Sequence, residues 1–343
     1  MNIDIHKLVR QNIRNLSPYS SARDEFSGTE GVFLDANENP NGIYNRYPDP
    51  HQEELKKVLG KVKSISPQNI FLGNGSDEVI DLIFRVFAQP GKDKAIICPP
   101  TYGMYEVSAN INDVEVVNIP LLSNFQLNKA AILDTIEQDN TVKLIFICSP
   151  NNPTGNLIEG IEEIIARFNG IVVVDEAYID FSPEASKTQA INSYNNLIVS
   201  QTLSKAWGLA GARIGFAFAQ SEIIALLNKI KPPYNISTLN QQQAMEKLLQ
   251  VEEFEAERDV ILSERARLEK QLLLLSMVRK IYPSSANFLL VEVDDANNVY
   301  DLLVAKNVIV RNRHTVINNC IRITIGTEEE NNKLLTELKK ISQ

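Results

Sequence analysis

Histidine and cysteine are scarce in this chain of 343 residues, and what there is lies scattered: His6, His51 and His314 are far apart, as are Cys98, Cys148 and Cys320. The apolar neighbours of the cysteines read as buried free thiols, so the paired spacing of a metal site is lacking and a histidine-based triad has no support. Excess positive charge is missing too. The formal net charge is −9, which argues against a polyanion partner and leads us to expect no nucleic-acid binding, although a local basic pocket stays open. Long apolar runs are also absent. Leu272 to Leu275 falls far short of the roughly 20 residues a membrane helix needs, and Met1 to Leu16 interleaves Asp4, His6, Lys7, Arg10 and Arg14 with its apolar residues, unlike a signal peptide. The expectation is a cytoplasmic protein with no membrane partner. Internal repeats and low-complexity segments are lacking as well.

The composition that remains is that of a globular protein, with 44% hydrophobic and 22% charged residues. A short amphipathic helix through Ile5, Leu8, Val9 and Ile13 is followed by a polar loop and by Phe33 to Pro40 and Tyr44 to Pro50, an irregular segment dense in Asn, Pro and Tyr. Loops of that composition tend to carry function. From Gln52 short apolar runs alternate with helical periodicity: strands are expected at 69–72, 95–98, 114–119, 143–148, 171–175, 197–200 and 214–218. Helices are expected between most of them. This alternation predicts an α/β fold with a mostly parallel sheet covered by helices on both faces. Beyond Glu222 long helical stretches run over 221–229 and 237–275, the second broken near Gln250; strands at 286–293, 308–310 and 320–324 and a terminal helix from Thr327 then make a smaller α+β unit. The expected division is an N-terminal arm over 1–35, a large ligand-binding unit over 36–235 and a small unit over 236–343.

The turns after successive parallel strands gather at one sheet edge, where such folds bind ligands. Gly73-Asn-Gly-Ser-Asp77 sets two glycines before a helix, so the backbone N–H groups of Gly75, Ser76 and Asp77 can cradle a phosphate, while a plain helix cap explains the string about as well. Ser149-Pro-Asn-Asn-Pro-Thr-Gly155 fixes Asn152 between prolines for directional hydrogen bonding. Asp175 ends four β-branched residues, which places a half-buried carboxylate at a strand end, with Tyr178 three residues on; a protonated heteroaromatic nitrogen is a suitable partner, and a structural cap is the competing reading. Lys205 follows the run Leu197-Ile-Val-Ser200 and is flanked by Leu203, Ala206, Trp207 and Leu209, where desolvation would lower its pKa and free a nucleophilic amine. A lysine whose stem packs on Trp207 fits the pattern equally. Ser204 and Arg213 add a hydroxyl and a cation, and Tyr102 a ring. Together these groups are what pyridoxal 5′-phosphate requires: an amine, an anion for its ring nitrogen, donors for its 3′-oxygen and cations for its phosphate.

The strings Ser149 to Gly155, Val174-Asp-Glu-Ala-Tyr178 and Ser204 to Gly215 resemble fold-type I aminotransferases. Asp35 to Pro40, Asn45-Arg-Tyr-Pro48, Pro99-Pro-Thr-Tyr-Gly-Met-Tyr105 and Ile321-Arg-Ile-Thr-Ile-Gly326 are similar to the histidinol-phosphate branch of that family in particular. The resemblance implies that pyridoxal phosphate attaches at Lys205, that Asp175 holds its ring nitrogen, that Asn152 and Tyr178 contact its 3′-oxygen, and that Tyr102 stacks on the ring. It implies that Gly75, Ser76, Asp77, Thr202, Ser204 and Arg213 surround the cofactor phosphate, joined by Tyr47 from the neighbouring subunit of a homodimer. Arg322, Arg311, Asn152 and Tyr19 would bind the substrates, histidinol phosphate in one half-reaction and glutamate or 2-oxoglutarate in the other. Arg313 receives no role. Aromatic or other amino-acid transamination, and phosphothreonine decarboxylation, remain the alternatives on the same scaffold.

Overall fold

The computed structural model describes residues 3–20 and 31–342. The first stretch folds as two short helices, α1 (Ile5–Leu8) and α2 (Gln11–Asn15), rather than one, because Val9 and Arg10 leave the helical conformation. Ile5 and Val9 dock into the core beside Phe84, Phe87 and Ile223. After the irregular segment come α3 (Glu53–Lys63), β1 (Ile70–Asn74), α4 (Ser76–Phe87), β2 (Lys94–Ile97), α5 (Met104–Ile111), β3 (Glu115–Asn118), α6 (Lys129–Gln138), β4 (Val142–Cys148), α7 (Ile161–Arg167), β5 (Ile171–Asp175), β6 (Leu197–Thr202), β7 (Ile214–Phe218) and α8 (Ser221–Ile230).

The seven strands form one sheet in the order β1-β7-β6-β5-β4-β2-β3. All pairs are parallel except those of β7, which runs against both β1 and β6. Within β4 the side chains alternate between the two faces: Ile145 and Ile147 enter one apolar cluster, Leu144, Phe146 and Cys148 the other. Burial on both sides is why these strands read as unbroken apolar runs.

The second part contains α9 (Thr238–Leu248), α10 (Val251–Leu272), β8 (Val278–Ile281), β9 (Phe288–Val293), α11 (Ala296–Ala305), β10 (Arg311–Asn312), β11 (Cys320–Thr324) and α12 (Glu328–Ile341). Its four strands make an antiparallel sheet in the order β10-β11-β9-β8. A capping box fixes the start of α12, with Thr327 accepting from the Glu330 N–H and Glu330 accepting from the Thr327 N–H. Leu268, Leu289, Val291, Ile323 and Leu335 share a separate core, whereas Ile236, Ala244, Leu248 and Phe254 pack on the large sheet. Two expectations shift here. The strand expected at 308–310 lies outside the sheet, which begins pairing only at Arg311, and β8 was not foreseen. Val278 to Ile281 is an edge strand with two exposed basic residues, Arg279 and Lys280, in its middle, so strict alternation is lost.

Candidate active site

A cleft of about 550 Å³ opens where the small sheet faces the carboxyl ends of β4, β5 and β6. That is an ordinary size for a small-molecule site. Its lining includes Ser76, Asp77, Tyr102, Asn152, Asp175, Tyr178, Thr202, Ser204, Lys205 and Arg213 from the large sheet, and Arg311, Arg313 and Arg322 from the small one. Register explains the convergence, since Cys148 pairs with Asp175 and Asp175 with Ser200, which levels the strand ends along one edge.

Asp175 is buried, and its Oδ2 accepts from the Tyr105 hydroxyl at 2.6 Å while its Oδ1 accepts from the Ala177 N–H at 3.0 Å. Both donors are neutral. Burial pushes the Asp175 pKa up, and the Tyr105 bond pulls the other way. A buried carboxylate held only by neutral donors and opening on a cavity is matched by a cationic ligand atom. Tyr105 is fully buried, stacked on Phe146 at 5.1 Å and edge-on to Tyr102. Sequence reasoning missed it; the signal was its place in the first turn of α5, just after the turn that carries Tyr102. The neighbouring Glu176 points away and is spent on structure, accepting from Ser186 Oγ, the Lys187 N–H and Gln201 Nε2.

Lys205 departs from its expected surroundings. Trp207 does not enclose it: the indole is buried on the far side, stacked on Phe254 at 3.8 Å with its N–H donated to Asp180. Lys205 instead stands in the open cleft with its Nζ 5.5 Å from the Tyr178 ring centre. Although solvent reaches it, the cleft walls desolvate the amine enough to lower its pKa, and the positive charge of Arg322 adds to this. The neutral, nucleophilic form is thereby favoured at a lower pH than for a surface lysine.

The phosphate-cradle expectation meets a close-packed turn. Gly75 has φ +82°, and a Cβ there would lie 2.5 Å from Arg213 Nη2. Arg213, itself left-handed at φ +52°, pairs with Asp77 at 3.5 Å, and Asp77 also accepts from the Tyr102 hydroxyl at 3.1 Å. A guanidinium thus lies over the amino-terminal end of α4, two features that favour a bound anion. The Thr202 hydroxyl is occupied locally, donating to the Ile214 carbonyl and accepting from the Ser204 N–H.

Asn152 faces both halves. Its Oδ1 accepts from Arg322 Nη1, which leaves its amide N–H groups for a ligand. Asn151, by contrast, is consumed by Thr101, Pro100 and Thr154. Arg322 also lies over the Phe288 ring at 5.2 Å, and the Nε atoms of Arg322 and Arg313 are buried without acceptors. Tyr178 sits edge-on to Phe288, and burial raises its pKa. Three expected residues lie outside the cleft lining: Gly75, which packs under Arg213, and two tyrosines. Tyr19 is 75% exposed, and Tyr47 stacks on Tyr234 at 4.4 Å beside a separate groove formed by 37–48 and 237–239.

The chemistry of this lining fits pyridoxal phosphate: a carboxylate for the ring nitrogen, a lysine of lowered pKa, and a cation over a helix start. Among the described residues no cluster of His, Cys, Asp and Glu could hold a metal ion, and no helix is long and apolar enough to cross a membrane. Residues 27–338 match the family described as aminotransferase class I and II. A histidinol-phosphate aminotransferase of Christiangramia forsetii is 52% identical over 99% of this chain and 99% of its own length. One of Cytophaga hutchinsonii is 51% identical over the same shares. Among solved structures, the histidinol-phosphate aminotransferase of Clostridium acetobutylicum matches with a TM-score of 0.80 at 26% identity, covering 87% of this chain and 91% of that one. Fold, cleft and sequence agree: the chain belongs to the class I and II aminotransferases.

Proposed function

We propose that this aminotransferase interconverts histidinol phosphate plus 2-oxoglutarate with imidazole acetol phosphate plus glutamate, a step of histidine biosynthesis, using pyridoxal phosphate. The observation that carries the reading is the joint placement of Lys205, Asp175 and four arginines around one cavity. The half-identity relatives over full length support the substrate.

When bound, the cofactor supplies a covalent acceptor for the amino group and a ring that takes up the electrons of the broken Cα–H bond. Lys205 would be the attachment point, and its Nζ, an amine of lowered pKa in the cleft, would serve as the base that takes the proton from the substrate Cα and gives it back. Asp175 would pair with the ring nitrogen and favour its protonated form. Asn152 and Tyr178 would hold the 3′-oxygen, and Tyr102 would pack against the ring. Gly75, Ser76, Asp77, Ser204 and Arg213 would hold the cofactor phosphate, whereas the Thr202 hydroxyl, its proton already given to the Ile214 carbonyl, would support that wall without donating to it; Arg322, Arg311 and Asn152 would receive the anionic end of each substrate.

We also infer a homodimer. Val32, Leu34 and Ile43 are each 88–89% exposed in the single chain, and they flank the segment that carries Tyr47. Apolar residues grouped in this way call for a covering surface. Tyr47 and Tyr19 would then complete the cleft, Tyr47 that of the partner subunit.

The deciding experiment is steady-state turnover with histidinol phosphate against phenylalanine as amino donor. A clear preference for histidinol phosphate is expected, and a preference for phenylalanine overturns the substrate reading.

A further inference from the structure

We propose that Arg313 is a third anion-binding side chain of the cleft, and that it selects a phosphate monoester over a carboxylate. The inference deepens the substrate reading above and rests on it.

Arg311 and Arg322 are register partners in the antiparallel pair β10–β11. Residues directly opposite each other project to the same face, and like charges so placed repel. Arg313 lies two residues beyond Arg311 and continues the pairing, its N–H donating to the Cys320 carbonyl at 2.9 Å. Period-two geometry therefore turns it to the same face, while Asn312 between them turns outward to Asn297. All three guanidiniums line the cleft.

Among the described residues no carboxylate pairs with them. The cleft's carboxylates are engaged elsewhere, Asp77 with Tyr102 and Arg213, Asp175 with Tyr105 and Ala177. Arg313 and Arg322 each bury an Nε without an acceptor. Buried donors left unmade are costly, and permanent cations cannot relieve the cost by losing a proton. Burial and the two neighbouring arginines disfavour the charge on Arg313, as burial and Arg311 do on Arg322. A multiply charged ligand removes this penalty.

The ligand's charge decides which. A carboxylate carries one negative charge and two oxygens, which Arg311 and Arg322 saturate. A phosphate monoester carries a charge of about −1.5 to −2 at neutral pH and three terminal oxygens. The third oxygen and the second charge need a third donor, and Arg313 supplies it.

The test uses the cofactor-loaded enzyme and two unreactive probes, methyl phosphate and glutarate, as competitive inhibitors against the amino donor. In Arg313→Gln the inhibition constant for methyl phosphate should rise about tenfold or more, the scale of one lost charge-assisted hydrogen bond, and that for glutarate by less than about threefold. Arg313→Lys should recover part of the phosphate affinity. An unchanged methyl phosphate constant, or equal loss for both probes, overturns the proposal. An unaltered absorbance spectrum and melting temperature of the variant exclude misfolding as the cause. If the wild-type enzyme fails to turn over histidinol phosphate but the probes still separate, the substrate reading falls and the role of Arg313 stands.

Discussion

The two walls of the cleft treat charge in opposite ways. On the large-sheet wall the carboxylates are held in advance: Asp175 has two neutral donors in place, and Asp77 has Tyr102 and Arg213. On the small-sheet wall Arg313 and Arg322 keep buried Nε atoms without acceptors. The first wall is preorganised around a ligand that stays, and its bonds fix geometry before anything binds. The second is left unsatisfied for ligands that come and go in each half-reaction, so its stabilisation is realised only when an anion arrives. Asn152 joins the walls, accepting from Arg322 while its N–H groups face the cleft.

Four changes break or sharpen this contrast. Lys205→Ala removes the one lysine that lines the cleft among the described residues and should lower kcat by at least roughly 10²–10⁴-fold, the scale of positioned proton transfer, with loss of the lysine-bound cofactor absorbance. Undiminished turnover would refute its catalytic role. Arg322→Gln acts on the opposite wall and should raise KM for both substrates, costing roughly 10- to 100-fold in kcat/KM; a change confined to kcat would place Arg322 in the chemistry instead.

Tyr105→Phe deletes one hydroxyl from the preorganised wall. Its bond lowers the Asp175 pKa, so its loss must raise that pKa and move the acid limb of the pH–kcat/KM profile upward, with about a tenfold fall in activity. An unmoved acid limb would make Tyr105 a packing residue only. Asp175→Asn has the smallest expected effect on folding and the opposite sign from its effect on function. Burial raises the Asp175 pKa in the folded chain, so ionising it opposes folding; this cost is absent below the ordinary carboxylate range and complete above the folded value. The cofactor-free variant should therefore gain about 1 kcal/mol at pH 8, a gain that shrinks as pH falls, while cofactor affinity drops. Urea midpoints at the two ends of that range measure it, and equal midpoints for variant and parent would show that Asp175 carries no strain.

The large-sheet wall was far more legible in the sequence than the small-sheet wall. Buried parallel strands give unbroken apolar runs, and the polar residue closing each run marks the sheet edge, which is how Asp175, Asn152 and Lys205 could be found. Tyr105 was hidden because its function lies in touching another side chain 70 positions away, which no local pattern encodes. Arg313 was hidden because β10 is only two residues long, too short for alternation to show which face a side chain takes. The reversal of β7 left one trace, the missing helix between β6 and β7, since only antiparallel neighbours can be joined by so short a connection.

That connection has a mechanical consequence. Thr202 pairs with Gly215, the Leu203 N–H reaches the Ile214 carbonyl, and the Leu209 N–H returns to Leu203, so the stretch carrying Lys205 and Arg213 is a closed loop on a hairpin base. A Cβ at Gly215 would fall 2.1 Å from the Ser76 nitrogen, so that base is also pressed against the start of α4. The amine and the guanidinium are therefore set apart by a gauge of fixed chain length, anchored at both ends. Adding or removing one residue between them would shift one grip against the other, so the length of this loop is tied to the spacing of the two groups it carries.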